Sequence, residues 1–236
     1  MDTYSTESTD YYYSYIIGSG NYYGISLRIN SSLNRFDIYL FSDSSYNNVL
    51  TYDLTGDQTK LVVYRSTGSK ILYPKIRTFS GTGNAYIYAN GDTLVAPGTI
   101  INNTLNASSY PNRYFALYRV SLNTFNQYKI AFNAEPGSEF DLIIFRSDES
   151  SSERLDEHSA TNISTTGHVE FNPSKTDNYV IVLMRQSESG DGDLIIHSGE
   201  RVGGIPGFKI MPILFAFAII IYLTLKFDKK TQKYSL

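Results

Sequence analysis

The chain contains no cysteine and no tryptophan among its 236 residues. Without cysteine it can form no disulfide, no thiolate nucleophile and no cysteine-based metal site. No His-Glu-x-x-His, Gly-x-Ser-x-Gly or glycine-rich phosphate loop is present either. Histidine occurs three times, in polar segments and without a second ligand at metal-binding spacing, as His158, His168 and His197. The sequence therefore predicts no catalytic site, no cofactor and no metal site.

Positive charge is scarce outside the C-terminal end. Five of the 20 lysines and arginines follow Gly207, together with only one of the 23 acidic residues. The first 207 residues thus carry a net charge of −7, and the remainder carries +4. A nucleic-acid interface needs a basic surface, so we expect no nucleic acid among the partners.

One long apolar run interrupts this polar chain, at residues 208–227. As a helix it would be about 30 Å long, which is enough to cross the hydrocarbon core of a bilayer. Lys209 and Lys226 lie near its two ends, from which their ammonium groups reach the interface. We expect a single membrane span, with the N-terminal part outside the cell and residues 228–236 as a basic cytoplasmic tail. A buried core helix is the alternative.

The N-terminal residues do not match this topology by themselves. Residues 1–7 are acidic and polar, without the positive start and apolar stretch of an export signal. We expect that a signal lies upstream of Met1 or has been removed. Insertion by the tail, with the large part in the cytoplasm, is the alternative, and it conflicts with the position of the lysines.

The part that precedes the apolar run contains two copies of one unit. Residues 11–30 align with residues 114–133, and residues 36–41 align with residues 140–145. Apolar and polar residues alternate at 25–30 and 128–133, which predicts strands with one apolar and one polar face. The segments 36–41 and 140–145 are more continuously apolar, as expected for central strands covered on both faces. Clusters of Gly, Asn, Asp and Ser separate the segments. The expected fold class is all-β: two tandem antiparallel β-sandwich domains of jelly-roll type, followed by one C-terminal transmembrane α-helix.

The domain boundaries follow from the turn-forming residues. We predict the first sandwich at residues 1–89, a linker at 90–112, the second sandwich at 113–199 and a juxtamembrane linker at 200–207. The predicted linker contains residues that interrupt strand pairing, namely Gly91, Pro97, Gly98 and Pro111.

Three segments of the second copy carry a family resemblance. They read Phe-Asp-Leu-Ile-Ile-Phe at 140–145, Thr-Asp-Asn-Tyr-Val-Ile-Val at 176–182 and Gly-Asp-Leu-Ile-Ile at 192–196. They resemble strands of the bacterial and archaeal pre-peptidase C-terminal domain, a small β-sandwich found beside secreted peptidases. Asp177 stands where that family usually has glycine. The first copy matches less well, because Pro74 interrupts the equivalent of the 176–182 strand and removes a ladder bond.

Pro206, Gly207 and Phe208, followed by the apolar run and a basic end, resemble the archaeal PGF-CTERM sorting signal. The resemblance implies that a sorting enzyme, an archaeosortase, removes the helix and that the new end receives a lipid. Lys209 at the start of the helix departs from that pattern. The alternative is an uncleaved span preceded by a flexible hinge.

Several polar residues allow two interpretations. Four sequons offer acceptor sites for glycosylation, although chance alone would give a similar number, at Asn30, Asn102, Asn106 and Asn162. Asp191 and Asp193 fit a solvated hairpin turn better than a Ca²⁺ site, which needs about six or more oxygen ligands.

Near its N-terminus the chain has a tyrosine-rich segment at residues 11–15, which places tyrosines on both faces of a strand. We expect the outward tyrosines to cover the neighbouring domain, and the alternative is that they stack on a sugar or a protein partner.

Together these features predict a membrane-anchored, non-catalytic protein of a cell envelope, with a surface, adhesion or ligand-binding role, and the resemblance of the tail implies that the envelope is archaeal. Its expected partners are the membrane, an envelope protein or glycan, and the sorting enzyme. Two alternatives remain open. In the first, the chain is the C-terminal accessory and anchoring region of a larger secreted hydrolase such as a peptidase. In the second, it is a carbohydrate-binding module.

Overall fold

The computed structural model describes residues 2–4, 10–19, 21–29, 35–54, 59–66, 68–80, 83–106, 113–146 and 159–200. The expected transmembrane helix at 208–227, the cytoplasmic tail and the sorting residues 206–208 lie outside these ranges. Within them, no helix has the length and apolar character needed to cross a membrane. The regular elements of the described ranges are β-strands, so the all-β prediction is confirmed.

The first copy forms two sheets. One has the strand order β1-β9-β4-β7, and the other has the order β2-β8-β5-β6, with β3 also paired to β8. The strands are β1 (Asp2–Tyr4), β2 (Asp10–Tyr12), β3 (Tyr15–Ile17), β4 (Tyr22–Ile29), β5 (Arg35–Phe41), β6 (Val49–Asp53), β7 (Thr59–Arg65), β8 (Lys70–Ser80) and β9 (Gly83–Gly91).

The second copy also forms two sheets, with the orders β11-β18-β13-β16 and β10-β12-β17-β14-β15. The strands are β10 (Thr93–Val95), β11 (Ile100–Ile101), β12 (Phe115–Leu122), β13 (Asn126–Ala134), β14 (Phe140–Arg146), β15 (Ser159–Ile163), β16 (Thr166–Phe171), β17 (Asp177–Arg185) and β18 (Gly192–Glu200). Apart from the parallel pair β10 and β12, the described pairs are antiparallel.

The two copies share one topology. The order β1-β9-β4-β7 corresponds to β11-β18-β13-β16, and β8-β5-β6 corresponds to β17-β14-β15. The single strand β12 takes the place of β2 and β3 together. In each copy a separate apolar core fills the space between the two sheets, as the alternating sequence pattern predicts.

Part of the predicted linker is sheet. Strand β9 continues to Gly91, and β10 and β11 lie inside residues 90–112. Both short strands pair with the second copy, β10 with β12 and β11 with β18. Their β-branched and aliphatic residues explain this preference for strand over loop. The boundary between the copies otherwise remains a prediction.

Pro74 does not end its strand, contrary to the sequence-based expectation. Strand β8 runs through it, and the neighbouring edge strand is broken instead, between β2 and β3. The Tyr13 N–H donates to the Pro74 carbonyl at 2.9 Å, so an N–H at position 74 would face the Tyr13 carbonyl. The Tyr46 hydroxyl donates to that carbonyl instead, at 3.2 Å. The proline thus costs one ladder bond, as predicted, and a side chain replaces it.

A third apolar layer joins the two sandwiches. The outward face of the β4 and β7 strands packs on the outward face of β12 and β17, and one closely packed cluster fills the contact. Its buried members, the inter-sandwich layer, are Tyr22, Leu61, Val63, Phe115, Leu117, Val180, Val182 and Met184. A Cβ at Gly24 would lie 2.5 Å from the Phe115 ring, so the strands approach closely here. The outer face of β4 carries the polar residues Ser26 and Arg28, as the alternation predicts, but both are buried, because the second sandwich lies over this face.

Polar contacts flank this layer. Asp92 accepts the Tyr22 N–H at 3.2 Å and forms an ion pair with Arg119 of the second sandwich at 2.9 Å. Burial raises the pKa of the Asp92 carboxyl, while Arg119 opposes that shift. The buried Arg28 side chain donates to Thr59 at 2.9 Å and pairs with Glu188 at 3.1 Å. Residues 1–199 consequently form one compact unit.

Candidate functional site

The predicted glycosylation sites are dispersed. Asn30 lies outside the described residues, whereas Asn102, Asn106 and Asn162 are exposed. Asn106 and Asn162 adopt left-handed backbone conformations, with φ of 49° and 55°. The Asn162 N–H donates to Asp141 at 3.0 Å. The structure does not bring these sites together, and whether they are glycosylated stays a prediction.

The Asp191 carboxylate is buried and accepts hydrogen bonds from a neighbouring segment. It is 5% exposed, so the prediction of a solvated turn is wrong for this residue. Its Oδ1 accepts the N–H of Leu105 at 2.8 Å and the hydroxyl of Thr104 at 3.2 Å. Asp193 accepts the N–H of Asn103 at 3.2 Å. These carboxylates fasten the 103–105 segment to β18, and the described ranges contain no cluster of His, Asp or Glu suited to a metal.

The histidines are separate from one another. His158 lies outside the described residues. His168 is exposed on β16, where its Nε2 lies 3.6 Å from Glu170 Oε1. His197 is exposed on β18. The two described histidines thus lie on strands that are not neighbours in their sheet.

The tyrosine-rich start alternates between the two faces of its sheet. Tyr11, Tyr13 and Tyr15 pack against the core of the first sandwich. Tyr12 points the other way and is 54% exposed. The expectation that outward tyrosines cover the neighbouring domain is wrong, because the second sandwich packs on the opposite sheet, which contains β4 and β7.

Six aromatic side chains lie on the outer side of the β2-β8-β5-β6 sheet, and Phe41 among them is buried. This aromatic face consists of Tyr12, Tyr39, Phe41, Tyr46, Tyr52 and Tyr73. Strand register brings it together: Lys75 lies opposite Tyr12 on one side and Tyr39 on the other, and Tyr39 also lies opposite Tyr52. Directly opposite residues share a face, so one row of side chains crosses four strands. At about 4.8 Å between strands, this row is about 14 Å long.

Tyr46 lies at the centre of the ring contacts. Its ring centroid is 4.5 Å from that of Tyr12, 5.4 Å from that of Phe41 and 6.0 Å from that of Tyr73. The Tyr39 and Tyr52 centroids are 6.3 Å apart. Aromatic pairs are favourable at these separations when the rings are tilted or edge-on, as they are here. The rings therefore support one another as a single surface.

The loop that carries Tyr46 is fixed by one carboxylate. Asp43 accepts the N–H groups of Ser45, Asn47 and Asn48 at 3.0, 3.3 and 2.8 Å, and also the Ser45 hydroxyl. The Ser45 hydroxyl and the Asn48 N–H are the main reasons that the Asp43 pKa falls to about 2. Tyr46 has a φ of 56°, which is uncommon for a bulky residue and is maintained only where the surroundings determine it.

Paired charges lie among and beside the rings of the aromatic face. Arg77 donates two hydrogen bonds to the Asp10 carboxylate, from Nε to Oδ1 at 2.7 Å and from Nη2 to Oδ2 at 3.0 Å. Lys75 approaches the same carboxylate at 3.5 Å, and its Nζ lies 5.3 Å from the Tyr39 ring centroid and 5.4 Å from that of Phe41. The Arg77 hydrogen bond is the main cause that lowers the pKa of Asp10.

Aliphatic residues on β3 and β8 extend the exposed apolar surface beyond the aromatic face. Ile16 and Ile71 lie opposite each other on β3 and β8, and Ile16 is 78% exposed. Of the ten large exposed apolar side chains in the described ranges, six lie on this one face: Tyr12, Ile16, Val49, Tyr52, Ile71 and Phe79. An apolar patch that is concentrated in this way is typical of an interaction site.

Most residues of this surface were missed by the sequence reasoning, which singled out only the tyrosine-rich start. A signal was present in β8, where Tyr73, Lys75 and Arg77 alternate with buried residues at a period of two. Pro74 obscured it, because a proline in a strand argues against a central position.

No protein-family profile matches the chain, and no curated protein sequence matches it. Among solved structures, part of the chain is similar to the pre-peptidase C-terminal domain of collagenase from Bacillus anthracis. That match covers 44% of this chain and 93% of the domain, at 12% identity and a TM-score of 0.36. The family resemblance of the second copy is thus accompanied by a weak structural similarity and by no sequence match.

Two other similarities extend over both copies. The CUB1-EGF-CUB2 domain of human MASP-1/3 matches 82% of this chain and 94% of its own length, at 9% identity and a TM-score of 0.26. The M60 catalytic domain with the CBM51-1 and CBM51-2 domains from Clostridium perfringens ZmpB matches 81% of this chain and 33% of its own, at 6% identity and a TM-score of 0.29. Similarities at these TM-scores carry no conclusion about function.

Proposed function

We propose that this protein is a non-catalytic, cell-surface binding protein and that its ligand binds on the aromatic face. The observation that supports this most is the concentration of exposed apolar side chains on one side of one sheet. Monomeric proteins rarely expose large contiguous apolar patches without a binding role. The flanking Asp10, Lys75 and Arg77 supply polar groups that orient a ligand, as in other binding surfaces.

The chemistry of this face favours binding over catalysis. A general acid or base needs a pKa near the working pH. The carboxylate at the margin, Asp10, has its pKa lowered by Arg77 and is held between two cations. Asp10 is therefore ionised at neutral pH and bonded to these two cations, which suits a structural or recognition role.

Attachment to the membrane is the second part of the proposal. The apolar run at 208–227 and the lysines after it support a C-terminal anchor with the sandwiches outside the cell. Protease treatment of intact cells is expected to release the sandwiches. Protection of the whole chain in intact cells would contradict this topology.

Processing at residues 206–208 is a further part of the same proposal, supported by the resemblance of this segment to a sorting signal. Mass spectrometry of the mature surface form is expected to show an end near Gly207 and a lipid. An intact C-terminal peptide that contains Lys233 on that form would exclude processing and leave the plain span.

The binding role is tested with residues 1–199, which form one compact unit without the apolar run, and isolated cell envelopes of the organism that carries the protein. We expect this part to sediment with the envelopes and the variant Tyr39→Ala to sediment much less. The matched control is Phe125→Ala, which removes an aromatic ring that is 81% exposed but lies on the second sandwich. Equal sedimentation of both variants would overturn the assignment of the surface.

A further inference from the structure

Equivalent surfaces of the two copies differ in their chemistry. The sheet β2-β8-β5-β6 of the first copy corresponds to β12-β17-β14-β15 of the second. In the second copy the outward face of this sheet is covered by the first sandwich and carries aliphatic residues such as Leu117, Val182 and Met184. In the first copy the same face carries phenols. The molecule therefore contains its own example of how this surface looks when it is built to contact protein.

Phenol rings also suit a second kind of contact. Each ring has an apolar face and a hydroxyl group that keeps hydrogen bonds to water or to a ligand. A sugar ring has the matching character, with C–H groups on its faces and hydroxyls at its rim. The row from Tyr12 through Tyr39 to Tyr52 is about 14 Å long by strand spacing, which exceeds the width of one sugar ring.

The charges at the margin favour an uncharged ligand. Asp10 pairs with Arg77 at 2.7 Å and with Lys75 at 3.5 Å. Asp37, opposite Arg77 on the next strand, lies 3.8 Å from Lys60. Each of these charged groups thus has a partner of opposite charge within the protein, so none of them requires a charged group on the ligand. The pair of Arg77 and Asp10 still offers a donor and an acceptor for hydroxyl groups.

The aromatic face is also fixed before binding. The Asp43 carboxylate holds the loop, and the Tyr46 hydroxyl is engaged by the Tyr13 carbonyl at 3.2 Å. A surface whose rings are already ordered pays less conformational entropy when a ligand binds. A rigid aromatic surface can therefore bind a ligand whose individual contacts are weak.

From these observations we infer that the aromatic face binds an uncharged polysaccharide. Successive sugar rings stack on Tyr12, Tyr39 and Tyr52, and their hydroxyls bond to Asp10 and Arg77. This inference rests on the proposed function and specifies its ligand class. A protein partner on the same face is the competing outcome.

The test uses residues 1–199 and envelope material prepared in three ways: untreated, digested exhaustively with protease, and oxidised with periodate, which cleaves sugar diols. We expect binding to survive protease and to disappear after periodate. Tyr39→Ala and Tyr52→Ala are each expected to weaken binding to the protease-treated material about tenfold, whereas Phe125→Ala leaves it unchanged.

The possible results separate the inference from the proposed function. Binding that is lost after protease and survives periodate, but still depends on Tyr39, overturns the polysaccharide and leaves a protein ligand on the proposed surface. Binding that Tyr39→Ala and Tyr52→Ala do not weaken overturns both. Circular dichroism of each variant confirms that a loss of binding does not come from unfolding.

Discussion

The two sandwiches are built on the same strand order but use the same outer surface in opposite ways. In the second sandwich the β12-β17-β14 face carries Leu117, Val182 and Met184 and is buried against the first. In the first sandwich the β2-β8-β5 face carries tyrosines, Lys75 and Arg77 and faces solvent. A duplicated unit has thus kept its core pattern while one outward face became a permanent contact and the other stayed open.

The difference shows that interior pattern and surface chemistry vary independently. Residues facing the core must fill a closed space, so Ile25 and Leu27 in one copy have apolar counterparts in the other. Residues facing outward need only suit whatever lies against them. Where the neighbour is the other sandwich, aliphatic residues dominate beside Tyr22 and Phe115, and where the face is open, tyrosines lie beside exposed residues such as Ile16 and Ile71.

The largest effect is expected when the same change is made on both faces. Val182→Asp places a carboxylate where the side chain is 1% exposed, and we expect a loss of about 4 kcal/mol or more in the free energy of unfolding. Ile71→Asp changes a residue that is 42% exposed and is expected to cost less than about 1 kcal/mol. Chemical denaturation of both variants measures the difference, and equal losses would break the comparison.

The closeness of the two sandwiches is tested at Gly24. A Cβ there would lie 2.5 Å from Phe115 and 3.1 Å from Leu117, so Gly24→Ala overpacks the contact and is expected to cost about 1–3 kcal/mol. Gly68→Ala is the matched control, since nothing lies within 4 Å of its added Cβ. We expect no loss there. A neutral Gly24→Ala, measured by the same denaturation experiment, would mean that the sandwiches are not tightly packed.

A smaller effect is expected at the broken edge strand. Tyr46→Phe removes the hydroxyl that donates a hydrogen bond to the Tyr13 carbonyl, and the free energy of unfolding should fall by about 1 kcal/mol. In a Pro74→Val background the new N–H can serve that carbonyl, so the cost of Tyr46→Phe should fall. A double-mutant cycle measures this coupling, and additive losses would show that the hydroxyl does not replace the missing ladder bond.

The smallest effect concerns pH. The pKa of Asp10 lies below its ordinary value of 3.8, because Arg77 and Lys75 favour the ionised form. Asp10 therefore stabilises the fold above about pH 4, and this contribution is lost as the pH falls through its folded-state pKa. Asp10→Asn is expected to cost about 0.5–1 kcal/mol at pH 7 and nothing near pH 2.

The control for that measurement is Glu170→Gln, which removes an exposed partner of Lys129 at 3.3 Å. Because both side chains of this pair are well exposed, its cost at pH 7 should be smaller than that of Asp10→Asn. A stability gap between wild type and Asp10→Asn that does not close at low pH would contradict the assigned ion pair.

The sequence was sufficient for whatever depends on local alternation. The strands at 22–29 and 126–134, the duplication and the all-β fold follow from a period of two and from turn residues. Contacts between sheets do not follow from it. Arg28 is part of a polar face by pattern, yet it is buried, because the second sandwich lies over it.

The aromatic face was only partly visible for the same reason. Tyr12 and Tyr39 are 27 positions apart in the chain and become neighbours of Lys75 only through register. The carboxylate of Asp191 looked like part of an open turn, and the segment that buries it, residues 103–105, comes from the predicted linker. Such long-range pairings leave no signal in a single sequence.

The most direct test of the account is oxidative footprinting of the full chain with and without protease-treated envelope material. We expect protection of Tyr12, Tyr39 and Tyr52 when the material is present, and no protection of Phe125 on the second sandwich. Protection of Phe125 with unchanged oxidation of the three tyrosines would contradict the claim that the open face of the first sandwich is the binding surface.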